Sequence, residues 1–473
     1  MSIKKNFLYS LVLTTANYVF PLLVFPYVSR VLGVNGIGIC NFIDSIINYF
    51  VLFSTMGISI IGIREIASVK ENSDVLNTRF TSLLLHTAVP TILSSVVFLL
   101  AFIYVPQLSE YREFIFIGIA KILGSAFAID WFYKGIEDFR YITLRTIIVK
   151  LLYVASIFIF VRDAEDYLIY FWLTALMIIV NSIVNLNYCR KFIHLQYNIF
   201  DFKSLINPNL INGFYLFLNT MYSSLNVTFL GFVSTTVQVG YYTTANKIFG
   251  IILSVYGAFT GVLLPRMSAL ASERKDDEFK RLITKSINFL VTFTIPVVIV
   301  CIILAPDIIN VISGAGYEGA YLPARIAMPL IFIVGYEQIL VVQIITPLKE
   351  DRIKFINSVV GATVGVVLSL LLVKNFLAVG ATIVWFCSEI SVLMMAQYFV
   401  KKKIGMSFPA IMIIKEIVVY IPLAFAVYFL YTYHLNSFIT LLIAFVVSGV
   451  YFTMVNILIF KNGMITSLLK LKK

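Results

Sequence analysis

The chain has 473 residues, of which 60% are hydrophobic and 13% are charged. Soluble domains run at about 45–50% apolar and about 25% charged, so the chain cannot clothe a set of water-facing surfaces. Its 41 Phe and 27 Tyr exclude disorder, since disordered segments are poor in aromatic residues. What remains is an integral membrane protein, and the net charge of +12 then reflects basic loops at one membrane face rather than a nucleic-acid partner.

A membrane helix needs about 20 mostly apolar residues. In chain order, fourteen runs meet that need, at about 6–29, 37–63, 80–104, 113–136, 143–161, 167–189, 206–233, 238–264, 283–305, 321–346, 355–373, 378–400, 410–431 and 437–460. The expected fold is therefore all-α and polytopic. The runs are long and continuously apolar, whereas a barrel would show short alternating segments. Lys4 and Lys5 precede the first run as in a signal peptide. The run is too long for a signal core and no A-x-A-like site follows, so an uncleaved first span is expected.

Orientation follows from Lys and Arg. With fourteen spans both termini share one side, and 29 of the 36 basic residues fall there, against 5 opposite and 2 (Lys121 and Lys247) inside spans. Lys150 and Lys415 are counted with the 29, although both sit a turn or more inside their spans and could snorkel outward. The reading is a multi-pass protein of the bacterial inner membrane with both termini in the cytoplasm.

A weak internal repeat is visible. Span 2 begins after Gly38 in "GICNFIDSI" and span 8 after Gly240 in "GYYTTANKI", at an offset of 202 that also pairs Arg64 in "GIREIAS" with Arg266 in "LPRMSAL". Arg140 in "GIEDFR" pairs with Arg352 in "PLKEDR" at an offset of 212. The expected organisation is a six-helix unit at 1–195, a second at 196–403 in the same orientation, and helices 13 and 14 added at 404–473. Parallel repeats around a central cavity are a common transporter plan.

No catalytic signature is present: there is no P-loop, HExxH, GxSxG or dinucleotide fingerprint. The four Cys and three His are scattered, so neither a disulfide framework nor a metal site is expected, and no cofactor. The Asn226-Val-Thr228 sequon lies in an apolar run and is not read as a glycosylation site. The informative residues are ionisable groups within spans, each costing roughly 2.5–3.5 kcal/mol at a helix centre. Asp44 and Lys247 lie at similar depth in spans 2 and 8. They would line a cavity if those spans face each other, or form a structural ion pair. Lys121 has no partner near in sequence on its own span and is expected at a cavity. Asp130 and Lys134, four residues apart, are expected to pair locally. Glu337 and Glu389 fall mid-span and are either proton carriers, as candidates for ion coupling, or protonated acids bonded to Gln338 or Ser388. Arg64 and Arg266 are either cytoplasmic anchors or cavity-mouth cations. Asn17-Tyr18 and the stretch from Asn219 to Ser224 are expected in a cavity wall. Pro21, Pro26, Pro90, Pro296 and Pro329 would kink their spans.

The strings "FPLLVFPYVSRVLGVNGIG", "GIREIA", "DWFYKGIEDFRYITLRTIIVK", "VGYYTTANKI", "LLPRMSAL" and "TIVWFCSEI", in this order across spans 1 to 12, resemble the bacterial polysaccharide flippases. These move O-antigen and capsule repeat units and belong to the multidrug/oligosaccharidyl-lipid/polysaccharide exporter superfamily. The resemblance implies two six-helix bundles around a central cavity plus two further helices. It implies an undecaprenyl diphosphate-linked oligosaccharide as substrate, moved from the cytoplasmic to the outer leaflet by alternating access. The family's cavity cations carry over to Arg30 in "SRVLG", and further to Arg64, Lys247 and Arg266. Asn226 stands where many relatives carry an acid, a departure that removes a coupling carboxylate at that point.

The expected binding set for the diphosphate and its sugars is thus Arg30, Lys247, Lys121, Arg64, Arg266, Asp44, Asn17 and Asn226, with the polyprenyl tail in membrane lipid. Nothing covalent is made, so the chain is not read as an enzyme. A polysaccharide polymerase and chain-length proteins are the expected pathway neighbours. Two readings within the superfamily compete: a cation-coupled multidrug exporter, which would have twelve spans and an acidic cavity, and a lipid II-type flippase, separable only by substrate. A membrane glycosyltransferase or polymerase would need a large catalytic loop, and the outside loops are short.

Overall fold

The computed structural model describes residues 3–194, 202–273 and 275–459, and among them every regular element is a helix. Arg274, Lys461, Lys470, Lys472 and Lys473, all counted on the cytoplasmic side, lie outside the described residues, as do the side chains of Tyr18, Asn219, Tyr222 and Ser223. By packing the chain divides into two units, Met1–Gly240 and Tyr241–Lys473. The first holds α1 (Ile3–Thr55), α2 (Ile58–Val69), α3 (Ser73–Tyr104), α4 (Pro106–Ser109), α5 (Ile115–Ala126), α6 (Asp130–Gly135), α7 (Phe139–Phe160), α8 (Tyr167–Cys189) and α9 (Phe202–Val233). The unit boundary falls just inside α10 (Thr236–Ser272). There follow α11 (Asp276–Ile303), α12 (Ala305–Ser313), α13 (Tyr321–Ala327), α14 (Leu330–Gln338), a π-helical turn at Ile339–Ile345, α15 (Asp351–Ile404), α16 (Ala410–Thr432) and α17 (Ser437–Leu458).

Nine runs among the described residues are long and apolar enough to cross a membrane. A further one is a broken pair, Glu318–Ala327 with Leu330–Ile345, bent by 41°. The chain is an all-α polytopic membrane protein. Two of the runs contain breaks where the sequence reading separates two spans. In α1 the break is Gly33, at φ 65 and ψ 177, a conformation that costs glycine little. In α15 it is Leu377, at φ 51 and ψ −128, where a residue with a Cβ is held in a sparsely allowed region. The bent pair has its corner at Met328 and Pro329, where a proline breaks the backbone ladder.

Within the first unit the segments of α1 on either side of Gly33 pack differently. The first runs parallel to α7: the Thr143 hydroxyl donates to the Tyr9 carbonyl (3.0 Å), Lys150 to Asn17 (2.6 Å) and the Tyr27 hydroxyl to the Val161 carbonyl (2.8 Å), so the partners advance together. The second runs antiparallel to α9. Phe42 lies against Gly231, the Thr228 hydroxyl donates to Ser45 Oγ (2.8 Å), Phe53 meets Phe217, and Gly57 abuts the Asn209 carbonyl. Small residues let these backbones approach closely, as membrane helices without a hydrophobic driving force require.

One contact is made twice. A Cβ on Gly38 would fall 1.8 Å from the Thr236 carbonyl oxygen, and one on Gly240 would fall 2.2 Å from the Val34 carbonyl oxygen. At the offset of 202, Val34 corresponds to Thr236 and Gly38 to Gly240, so each contact is the image of the other.

In the second unit α16 packs on α11, where Thr292 donates to Glu416 (3.1 Å). The Tyr451 hydroxyl of α17 donates to the Val419 carbonyl of α16 (2.8 Å). The outward faces are apolar, as with Leu144, Ile148, Leu151 and Leu152 on α7 and Ile411, Ile414, Val418 and Phe425 on α16. That is the surface a bilayer requires.

Candidate functional site

The first unit buries basic side chains and gives each a specific partner. Lys121, on α5, has a side chain only 7% exposed, and its ammonium lies 2.5 Å from Asp44 on α1, whose side chain is 40% exposed. Beneath it the Phe171 ring of α8 is 4.1 Å away, a cation–π contact. Lys121 has no partner on its own helix but finds one on a neighbouring helix of the same unit, because α5 packs beside α1.

A second pair lies at the end of α5. The helix stops at Ala126 and Ile129 takes a left-handed conformation (φ 38), so Asp130 opens the short helix α6 on a new axis. Its carboxylate meets Arg145 of α7 at 2.6 Å and accepts from the Asn185 amide of α8 at 2.9 Å. Arg145 also donates to Asn181 (2.6 Å). The expected Asp130–Lys134 pair is thus replaced by Asp130–Arg145: both residues of the expected pair lie in α6, but the change of axis at Ile129 places the Asp130 carboxylate against Arg145 of α7. Arg145 counts on the cytoplasmic side in the sequence, yet its side chain is 6% exposed.

A third basic group, Lys150, is held by a neutral partner. It donates to Asn17, and the Phe20 ring lies 5.7 Å from its ammonium. Asp138 accepts from the Tyr141 amide and starts α7 at Phe139, four residues earlier than expected, which carries Lys150 to the middle of the helix.

The remaining candidates are more open. Arg30 is exposed on α1 just before the break. Arg64 lies on α2, past the corner at Met56 and Gly57, with a side chain 66% exposed and 3.2 Å from Glu65. Lys247 and Arg266 are exposed on α10. Asn226 is buried on α9, two residues before Thr228, which bonds Ser45.

The second unit keeps acids inside instead. Glu389 on α15 is buried and accepts from the Trp385 indole at 2.9 Å. Glu337 of α14 lies near it. The neighbours expected to neutralise these acids do otherwise: Gln338 accepts from Thr260 (3.4 Å), and Ser388 Oγ is buried without a partner. The π-helical turn begins two residues after Glu337 and buries the Gln343 amide, also without a partner. Such turns are frequent at functional sites. Glu416, absent from the sequence reading, is buried on α16 with one carboxylate oxygen bonded to Thr292 and the other without a partner. The signal for it was its neighbour: exposed Lys415 turns outward, and one residue on, at about 100°, the side chain turns inward. Among the described residues no cluster of three or more His, Cys, Asp or Glu could hold a metal ion.

Against known proteins, the model of the polysaccharide biosynthesis protein family matches residues 3–271. The chain belongs to that family. Two relatives span almost their whole length on it. One is named an O-antigen transporter of Escherichia coli (strain K12), 24% identical over 416 residues, covering 85% of this chain and 97% of its own. The other, with the same name, is from Shigella dysenteriae, 23% identical over 407 residues, covering 84% and 100%. Among solved structures, one named lipid II flippase MurJ in an inward closed conformation superimposes with a TM-score of 0.77 at 13% identity, over 95% of this chain and 99% of that one. An inward-facing multidrug resistance MATE family transporter of the MOP superfamily superimposes at 0.60, with 14% identity, over 82% and 94%. At these identities the structural likeness speaks for the fold.

Proposed function

We propose that this family member is a flippase. It moves undecaprenyl diphosphate-linked oligosaccharide repeat units from the cytoplasmic to the outer leaflet of the bacterial inner membrane, by alternating access. The observation that carries this reading is that nearly the full length of two relatives named O-antigen transporters aligns with a chain that sets cations deep in its first unit. A diphosphate in a low-dielectric surround is bound strongly by such groups. The organisation proposed is fourteen spans, as six at 1–195, six at 196–403 and two at 404–473, with both termini cytoplasmic. Arg30, Lys247, Arg64 and Arg266 are proposed to meet the diphosphate, and Asn17 and Asn226 the sugars. Lys121 with Asp44 forms a charge pair from which the acid can be displaced. Glu337 and Glu389 are proposed to couple transport to protons. The chain makes and breaks no covalent bond, and a polymerase would act on its product.

A lipid II-type flippase is the second reading, favoured by the TM-score of 0.77. A multidrug exporter for lipophilic cations fits poorly with Lys121, Arg145 and Lys150 in the first unit. Deleting the gene tests all three. Accumulation of a lipid-linked oligosaccharide on the cytoplasmic leaflet is expected, with export restored by the wild-type gene and not by Arg30→Ala or Lys247→Ala protein that still reaches the membrane. Accumulation of lipid II would favour the second reading, and drug sensitivity without any lipid intermediate would reject both.

A further inference from the structure

The three basic side chains set more than one turn into α5 and α7 differ in one respect. Lys121 is neutralised by Asp44 and Arg145 by Asp130. Lys150 has only an amide oxygen and an aromatic face, and no acidic partner among the described residues. It stands eleven residues after Phe139, which at 1.5 Å per residue is about 16 Å along the helix, close to half the hydrocarbon thickness. An uncompensated charge at that depth is costly, and a neutral donor would serve equally well if the task were only to tie α7 to Asn17.

The direction in which Lys150 points is also informative. On α7 the exposed apolar stripe is Leu144, Ile148, Leu151 and Leu152, and Lys150 lies about 140° from its centre at 100° per residue. Its partner helix carries two exposed faces. Leu8, Val12, Val19 and Leu23 form one, and Asn17 and Thr14 lie on another about 150° away. One face of that helix is suited to acyl chains and the other to water, and Lys150 joins the watered one through Asn17.

We propose that Lys150, oriented by Asn17, is a phosphate-binding point at mid-membrane that receives the diphosphate of the lipid carrier halfway through its passage. This rests on the flippase reading and adds to it a residue outside the binding set above. The anion supplies the counter-charge that the fold leaves out. A phosphodiester headgroup of bulk lipid carries the same chemistry, but it would approach from the apolar stripe that Lys150 avoids.

Purified protein in detergent, titrated with undecaprenyl diphosphate and separately with phosphatidylglycerol and read by native mass spectrometry, tests the assignment. Lys150→Gln, which can still donate to Asn17, is expected to bind undecaprenyl diphosphate at least tenfold more weakly, with phosphatidylglycerol adducts unchanged. Lys150→Arg is expected to keep most of the binding. Equal affinity of Lys150→Gln and wild type would overturn the site while leaving the flippase reading intact, as would a loss confined to phosphatidylglycerol. Failure of the wild-type protein to bind undecaprenyl diphosphate would overturn the function and the site together.

Discussion

The two units bury charge of opposite sign. In the first, the interior holds Lys121 and Arg145, with Asp44 and Asp130 as partly open counter-ions. In the second, it holds Glu389 and Glu416, which accept hydrogen bonds from Trp385 and Thr292. The difference has a physical consequence. A buried guanidinium such as Arg145 cannot shed its charge when its partner is removed, whereas a carboxyl group can take a proton and become a neutral hydrogen-bonding group. The first unit should therefore be brittle toward single charge changes, and the second tolerant of them.

The sharpest way to break this contrast is Asp130→Asn. It strands the Arg145 guanidinium and is expected to cost about 3 kcal/mol, the low end for an opened buried pair because Asp130 is partly exposed. A large fall in the thermal unfolding midpoint of the purified protein is the readout, and an unchanged midpoint would mean that Asn181 and water suffice. Next comes Asp44→Asn, expected to cost about 2 kcal/mol, with Asp44→Asn combined with Lys121→Gln recovering about half of it. Simple additivity of the two changes would show that the pair is not coupled. In the second unit, Glu416→Gln keeps the acceptor for Thr292 and removes an oxygen that has no partner, so its midpoint should lie within about 1 kcal/mol of wild type, on either side.

The smallest effect is expected outside the membrane. Backbone amides of Arg162 and Asp163 hold the Asp166 carboxyl below the ordinary carboxylate range. A group whose folded pKa is depressed contributes stability above its unfolded value, about 3.9, and loses it as the pH falls through the folded one. Asp166→Asn should therefore lower the midpoint slightly at pH 7, and the gap to wild type should close in acid. A gap that persists below pH 3 would assign the effect to lost cap geometry instead.

The architecture was legible because its signals are long: hydrophobic runs of about 20 residues, and a Lys and Arg bias summed over many loops. Gly33 and Pro329, at two of the corners, could also be read from residue type. Leu377 could be read only as part of the gap between two apolar runs, beside Lys374 and Asn375, since no glycine or proline marks its left-handed backbone. At the site, residue type located the intramembrane charges but not their partners. Lys121 finds Asp44 seventy-seven positions away, and Asp130 finds Arg145 only because the chain leaves the helix at Ile129. The depth of Lys150 depends on a cap: Asp138 begins α7 at Phe139, four residues before the apolar run does.

The lengthwise pairing of α9 with the second part of α1 bears on how the protein is made. Gly57, Ser45 and Phe42 wait in a helix that enters the membrane early, and their counterparts at Asn209, Thr228 and Gly231 leave the ribosome some 150 to 190 residues later. Until synthesis passes Gly231 the nascent first unit presents Phe42, Ser45 and Phe53 without the helix that covers them in the finished fold.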